Sequence, residues 1–215
     1  MKKFKPLSFD LIKVQDELEL FGKLLEEHLE LDEKRDILPF FKSNVHLSNF
    51  IGIIDANINF PNKYASEFDI FGDFKSDLAI GDSTNNNYLF VEFEDAKKNS
   101  IFKPNGKKDS LEWSDRFEHG YSQIIDWFWK LNDLRQTSSF RAKLGSDLSN
   151  YNGLLVIGRT AFLDSLEQDR LKWRKDYVQV NSKSVLCMTY DELYENLITK
   201  LKYFKIIGKI PLEGI

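Results

Sequence analysis

The stretch best equipped for chemistry is KSDLAIGDSTNNNYLFVEFEDAKK. In an extended strand, successive side chains point to opposite faces. Over YLFVEFED, Leu89, Val91 and Phe93 therefore share one face, and Phe90, Glu92 and Glu94 share the other. Two carboxylates project side by side, ~7 Å apart at the backbone. Asp77 begins the preceding apolar run DLAIG, and STNNN between the two runs is rich in turn formers. A hairpin there brings Asp77 beside the pair. Three carboxylates on one sheet face repel each other, and leaving them unpaired in a partly buried place is costly. A hard divalent cation, Mg2+ or Mn2+, removes that cost. Mg2+ takes one or two carboxylates plus waters and phosphate oxygens, polarises the phosphate and helps produce hydroxide from water. Asp77, Glu92 and Glu94 are thus the candidate metal ligands and catalytic acids. The plainer alternative is a pair of solvated acids on the outer face of a hairpin. The apolar start of the strand, which marks a central strand, argues against it.

The surroundings fit a phosphate substrate. Lys97, Lys98, Lys103, Lys107 and Lys108 follow with no acidic residue between them, as neutralisation of a phosphate backbone requires. An ordinary solvated loop would look similar. Arg116, His119 and Gln123 then recur at helical spacing on one face, where simple amphipathicity is the competing explanation and a surface histidine the plainer reading of His119. The net charge of −4 means that any nucleic-acid surface must be built locally from these residues.

The elements that must position them are read from periodicity. Residues 10–31 carry Leu11, Val14, Leu18, Phe21 and Leu25 at three- and four-residue steps, an amphipathic helix. Residues 50–60 (FIGIIDANINF) and 68–74 (FDIFGDF) are expected as strands, followed by the DLAIG and NYLFVEFED hairpin. A polar, Lys-rich loop over about 97–110 should be mobile or poorly packed beside the acids. Helix is expected from Trp113 to about Leu134, with Phe117, Tyr121, Ile124, Phe128 and Leu131 on one face. GLLVIG at 153–158 is a buried strand, 162–176 a helix and 184–188 (SVLCM) a strand. Thr189 and Glu192 form a T-x-x-E capping box opening a helix over about 190–204. A strand–helix–strand step places GLLVIG parallel to the last hairpin strand. The result is one α/β domain over residues 1–215, a mixed central sheet flanked by helices.

The chain of 215 residues, 42% hydrophobic and 30% charged, suits one soluble globular domain. No apolar run approaches the ~20 residues of a membrane helix, and Pro6 and Asp10 interrupt the basic N-terminus. A cytoplasmic location and no membrane partner are expected. The single cysteine, Cys187, lies in VLCM and reads as a buried small hydrophobe.

The hairpin with its Asp, the E-x-E motif and the helix bearing Gln123 resemble the core of PD-(D/E)xK nucleases. More closely, VEFEDAKKNSIF followed by WSDRFEHGYSQIIDWFWKL is similar to the nuclease domain of the Shedu (SduA) anti-phage defence family. The VIGR and MTYDEL segments extend the likeness over about residues 15–203. The resemblance implies a restriction-endonuclease-like core, a metal-dependent endonuclease acting on DNA in phage defence, and a homo-oligomer. It places Asp77 at the family's first strand acid, Glu92 at the second, Gln123 at the helical glutamine and Trp127 at the aromatic that follows. It also implies an acid on the first helix, for which Glu17 and Glu19 both qualify. The usual lysine of the motif is Glu94 here, and the long side chain of Lys97 could reach back in its place. Asp77, Glu92, Glu94 and Gln123 are then catalytic, while Lys97, Lys98, Lys103, Lys107, Lys108 and Arg116 hold nucleic acid. Two alternatives stay open. One is a module of the same fold that binds nucleic acid, or regulates, without cutting. The other is a metal-independent hydrolase built on paired carboxylates, such as a glycosidase.

Overall fold

The computed structural model describes residues 3–8, 10–106 and 110–207. A short β1 (Lys5–Pro6) precedes α1 (Leu11–Glu27). Asp10 caps α1, its carboxylate accepting from the amides of Ile12 at 2.9 Å and Lys13 at 3.4 Å. Val14, Leu18, Phe21 and Leu25 form the buried stripe of α1, as the periodicity requires. The helix stops four residues earlier than expected, because His28 turns extended and Leu31 pairs with Ala96 in an isolated bridge.

A π-helical turn (Glu33–Ile37), α2 (Leu38–Ser43) and α3 (Val45–Phe50) follow. The strand expected over 50–60 is absent. Residues 51–54 continue as a 3-10 turn, then Asp55 folds the chain back by accepting from the Asn57 amide at 2.9 Å. A short apolar run fits a buried helix as well as a strand.

The first long strand is β2 (Lys63–Ile70), and β3 runs over Phe74–Asp82. The strand expected at 68–74 is therefore split by a hairpin turn. Between the paired Ile70 and Phe74, Phe71 and Gly72 both take positive φ, 53° and 86°, the left-handed backbone of a tight turn. Phenylalanine in that position hid the turn.

The hairpin of β3 with β4 (Asn87–Phe93) forms where STNNN placed it. A two-stranded piece, β5 (Phe102–Lys103) with β6 (Glu112–Trp113), leads to α4 (Asp115–Asp133). Next come α5 (Ser138–Leu144), β7 (Asn150–Val156), α6 (Ser165–Tyr177), β8 (Gln179–Val180), β9 (Lys183–Met188) and α7 (Tyr190–Ile207). The Thr189–Glu192 capping box is present in both directions, at 3.1 Å and 2.8 Å.

One mixed sheet runs β1-β2-β3-β4-β7-β9-β8. β4 pairs parallel to β7, and β7 parallel to β9. Leu89, Val91 and Phe93 pack under α1, α2, α3 and α7, while Tyr88 and Phe90 pack under α4 and α5. Trp127 and Phe128 are buried, and Trp129 is 60% exposed. Among the described residues, no helix is long and apolar enough to cross a membrane.

Candidate active site

The side chains of β4 alternate as the sequence requires, so Glu92 falls on the α4 face beyond Phe90. The β3–β4 ladder ends at Leu78–Val91. One step beyond it, Asp77 is the fourth residue of β3 rather than its first. Its carboxylate accepts from the Phe93 amide at 2.9 Å, taking the place of the next backbone acceptor. Asp77 also lines a small open cleft with Lys42, Tyr64, Ser66 and Glu67.

Glu92 is 9% exposed, and its Oε2 is buried with no hydrogen-bond partner among the described residues. Burial drives its proton affinity far up, and the neighbouring charges of Asp77, Glu94 and Glu33 add to the effect. The Gln123 amide on α4 acts in the opposite sense, favouring the ionised form. Gln123 also reaches the Lys75 carbonyl, at 3.5 Å. Burial likewise raises Asp77, with Glu33 and Glu67 contributing, against the lowering effect of the Phe93 amide.

Glu94 lies just past the end of β4, its amide bonded to the Val156 carbonyl at 2.9 Å. The side chain is 4% exposed and makes a tight ion pair with Arg116 Nη1. Burial pushes its pKa up to about 7, in spite of the guanidinium. Gly120 makes room for it: a Cβ there would stand 3.3 Å from the Glu94 carboxylate and 2.8 Å from Leu155.

The acids expected at the site are thus neighbours in one electrostatic cluster. Among the described residues, however, no three Asp, Glu, His or Cys side chains close into a metal cage, so the expected convergence on one point is corrected. Glu94 is drawn aside by Arg116, and Asp77 is turned to the Phe93 amide.

The basic residues are placed differently from expectation. Arg116 contacts Glu33 at 2.9 Å and Asp95 at 3.4 Å besides Glu94, so it belongs to the acid cluster. Lys97 does not stand in for a motif lysine: its Nζ is held by Asp32 at 2.8 Å and Asp95 at 3.0 Å. Lys103 pairs with Asp115 at 2.7 Å. Lys98 is exposed, with its amide bonded to Glu30. Over its described part the segment is anchored at Ile101 and Phe102, each 2% exposed. Lys107 and Lys108 lie outside the described residues. His119 is exposed.

Neither acid expected from the first helix reaches the site. Glu17 accepts from the Leu47 amide at 2.7 Å, and Glu19 from Gln15 at 2.9 Å. The acid that arrives is Glu33, whose amide is bonded to Asp95 at 2.8 Å. Spacing could not have found it. The Leu31–Ala96 bridge brings it in across the sequence.

The family model for the Shedu protein SduA, C-terminal, matches residues 30–194, more than half of the chain. The chain belongs to the Shedu family. Membership points to anti-phage defence. The matched segment begins just before Glu33 and contains Asp77, Glu92, Glu94, Asp95, Arg116 and Gln123, whereas Glu17 and Glu19 of α1 fall outside it. No curated protein matches this Shedu chain.

Proposed function

We propose that this Shedu chain is a divalent-metal-dependent nuclease of the PD-(D/E)xK type that hydrolyses DNA phosphodiester bonds in anti-phage defence. One observation carries the reading: a buried carboxyl oxygen, Glu92 Oε2, has no hydrogen-bond partner among the described residues and sits among the further acids Asp77, Glu94 and Glu33. Burial holds the metal-free Glu92 in its protonated form, which still leaves a buried polar oxygen unpaired at a cost, and a cation that displaces the proton is what would satisfy it. The donor set fits a small hard ion, with Glu92 and Asp77 as the protein ligands, water and phosphate oxygens completing the shell. A bound Mg2+ or Mn2+ would supply phosphate polarisation and a more acidic water.

The other roles fall to the chain's own groups. Glu94, with a pKa of about 7, suits a general base, since such a group works best near the operating pH. Arg116 holds it in place and brings positive charge where the motif lysine would stand. Gln123 orients the Glu92 carboxylate. Lys98, exposed and without an ion pair among the described residues, is placed to meet the DNA backbone, and the charge of Lys107 and Lys108 would add to it.

A second reading, a non-cleaving DNA-binding module, draws on one observation: Glu94 occupies the lysine position and Lys97 is engaged elsewhere. Incubation of plasmid and linear DNA with Mg2+, with Mn2+ and with chelator separates the two. Metal-dependent cutting is expected. Cutting that persists in chelator defeats the metal reading, and binding without cutting under every metal favours the second.

A further inference from the structure

Away from the carboxylates, α6 presents an aromatic and cationic face that the nuclease reading leaves unused. Arg170, Trp173, Arg174 and Tyr177 recur at steps of three, one and three residues on α6, so they lie on one side of the helix. Trp173 is 60% exposed and Tyr177 71%, and their rings stand 5.8 Å apart. Beneath them, Trp113, Arg170, Trp173, Arg174 and Val178 wall an open slot of about 390 Å3.

The floor of the slot is rigid. Trp113 packs against Phe102 and Phe117, with ring centroids at 4.4 Å and 4.5 Å. The Arg174 guanidinium lies 4.8 Å from the Trp113 ring and is fixed by a two-pronged pair with Glu118, at 2.6 Å and 2.9 Å. Arg170 lies 5.5 Å from the same ring and donates to the Leu111 carbonyl at 2.8 Å. Unlike Arg174, Arg170 has no carboxylate partner among the described residues, so the slot keeps one uncompensated positive charge.

We propose that this slot holds a nucleobase of a single-stranded nucleic-acid segment, stacked between Trp173 and the fixed layer of Trp113 and the two guanidiniums. The walls are flat and mostly apolar, as a planar ring requires, and each additional aromatic or guanidinium face contributes stacking. The positive charge of Arg170 complements the phosphate attached to such a ring, which an uncharged protein side chain would not supply. Location agrees: Trp113 ends β6 three residues before Arg116 in the first turn of α4, at most roughly 10 Å along the chain, so one strand can run from the acidic cluster to the slot. The choice of ligand rests on the nuclease reading, but the binding does not need cleavage.

The test uses the full chain in chelator, where nothing is cut. A short oligo-dT strand and an abasic strand of equal length and charge are titrated while tryptophan fluorescence and fluorescence anisotropy are followed. Quenching by oligo-dT is expected, with the abasic strand binding about tenfold more weakly. Trp173→Ala should remove that tenfold preference, and Trp173→Phe should retain most of it. Trp173 is exposed, so the substitution leaves the core intact, and the abasic comparison on the unaltered protein stands without any variant. Equal affinity for both strands overturns the proposal. So does a Trp173→Ala protein that binds oligo-dT normally but has lost self-association, which would make the face an interface between copies. A protein that prefers bases yet never cuts with metal supports the slot and defeats the nuclease reading, while one that cuts but ignores bases does the reverse.

Discussion

Two buried charged clusters stand just beyond neighbouring strand ends, and they differ in how their charge is met. After β7, Arg159 is 7% exposed. Its guanidinium meets Asp191 at 2.9–3.0 Å and donates to the carbonyls of Leu25 at 3.0 Å and His28 at 2.8 Å. Asp191 also accepts from the Thr160 amide at 2.7 Å. Charges and donors match, and the cluster ties α1, β7 and α7 together. After β4, five acids, Asp77, Glu92, Glu94, Asp95 and Glu33, share two cations: Arg116 meets Glu33, Glu94 and Asp95, Lys97 meets Asp95, and Glu92 Oε2 has no hydrogen-bond partner among the described residues. A satisfied buried network specifies structure. An unsatisfied one persists where something outside the chain completes it.

The largest expected effect is on catalysis. Glu92→Ala should lower DNA cleavage by roughly a thousandfold, the scale of losing direct transition-state stabilisation, with circular dichroism and chelator-state stability unchanged or improved. Normal cleavage by this variant would erase the distinction between the clusters.

Arg159→Met is the mirror experiment. It strands Asp191 and two carbonyls, and should cost about 3 kcal/mol in urea unfolding. Equal losses of stability from Glu92→Gln and Arg159→Met would mean that both clusters are structural.

The next effect is on pH dependence. Glu92, Asp77 and Glu94 all hold protons more tightly in the folded chain than in the unfolded one. Between the ordinary carboxylate range and the raised values, the native state therefore binds more protons, and stability falls as pH rises. Metal-free protein should melt at a lower temperature at pH 7.5 than at pH 5.5, the Glu94 contribution being lost up to its pKa of about 7. Glu92→Gln should flatten the slope, and Mg2+ should restore the melting temperature at the higher pH by binding the native state. Melting that improves towards pH 7.5 in chelator would contradict this.

The smallest effect concerns α1. Glu17→Gln weakens the bond from the Leu47 amide and should cost about 1 kcal/mol while leaving cleavage as it was.

These contrasts follow from what the sequence could and could not carry. Alternation along β4, the turn formers at STNNN and the capping box at Thr189 are local signals, and each element formed where they put it. Gln123 is on the face of α4 that spacing gave it. Glu33 was invisible because a long-range bridge, not a periodic pattern, brings it to the site. The helical 50–54 segment reads like a strand because short apolar runs fit either structure. The lysine-rich segment looked loose because its anchors, Ile101 and Phe102, are only two residues among many polar ones. Most of all, the sequence could not say which buried charges are matched. Arg159 in VIGR and Glu92 in VEFE look alike until partners are counted.

Direct Mn2+ binding, measured by titration calorimetry on metal-free protein, tests that difference without relying on turnover. The account predicts a saturable site in the unaltered chain, lost in both Glu92→Gln and Asp77→Asn and retained in Glu17→Gln. Mn2+ binding of equal strength in the unaltered chain and in Glu92→Gln would contradict it.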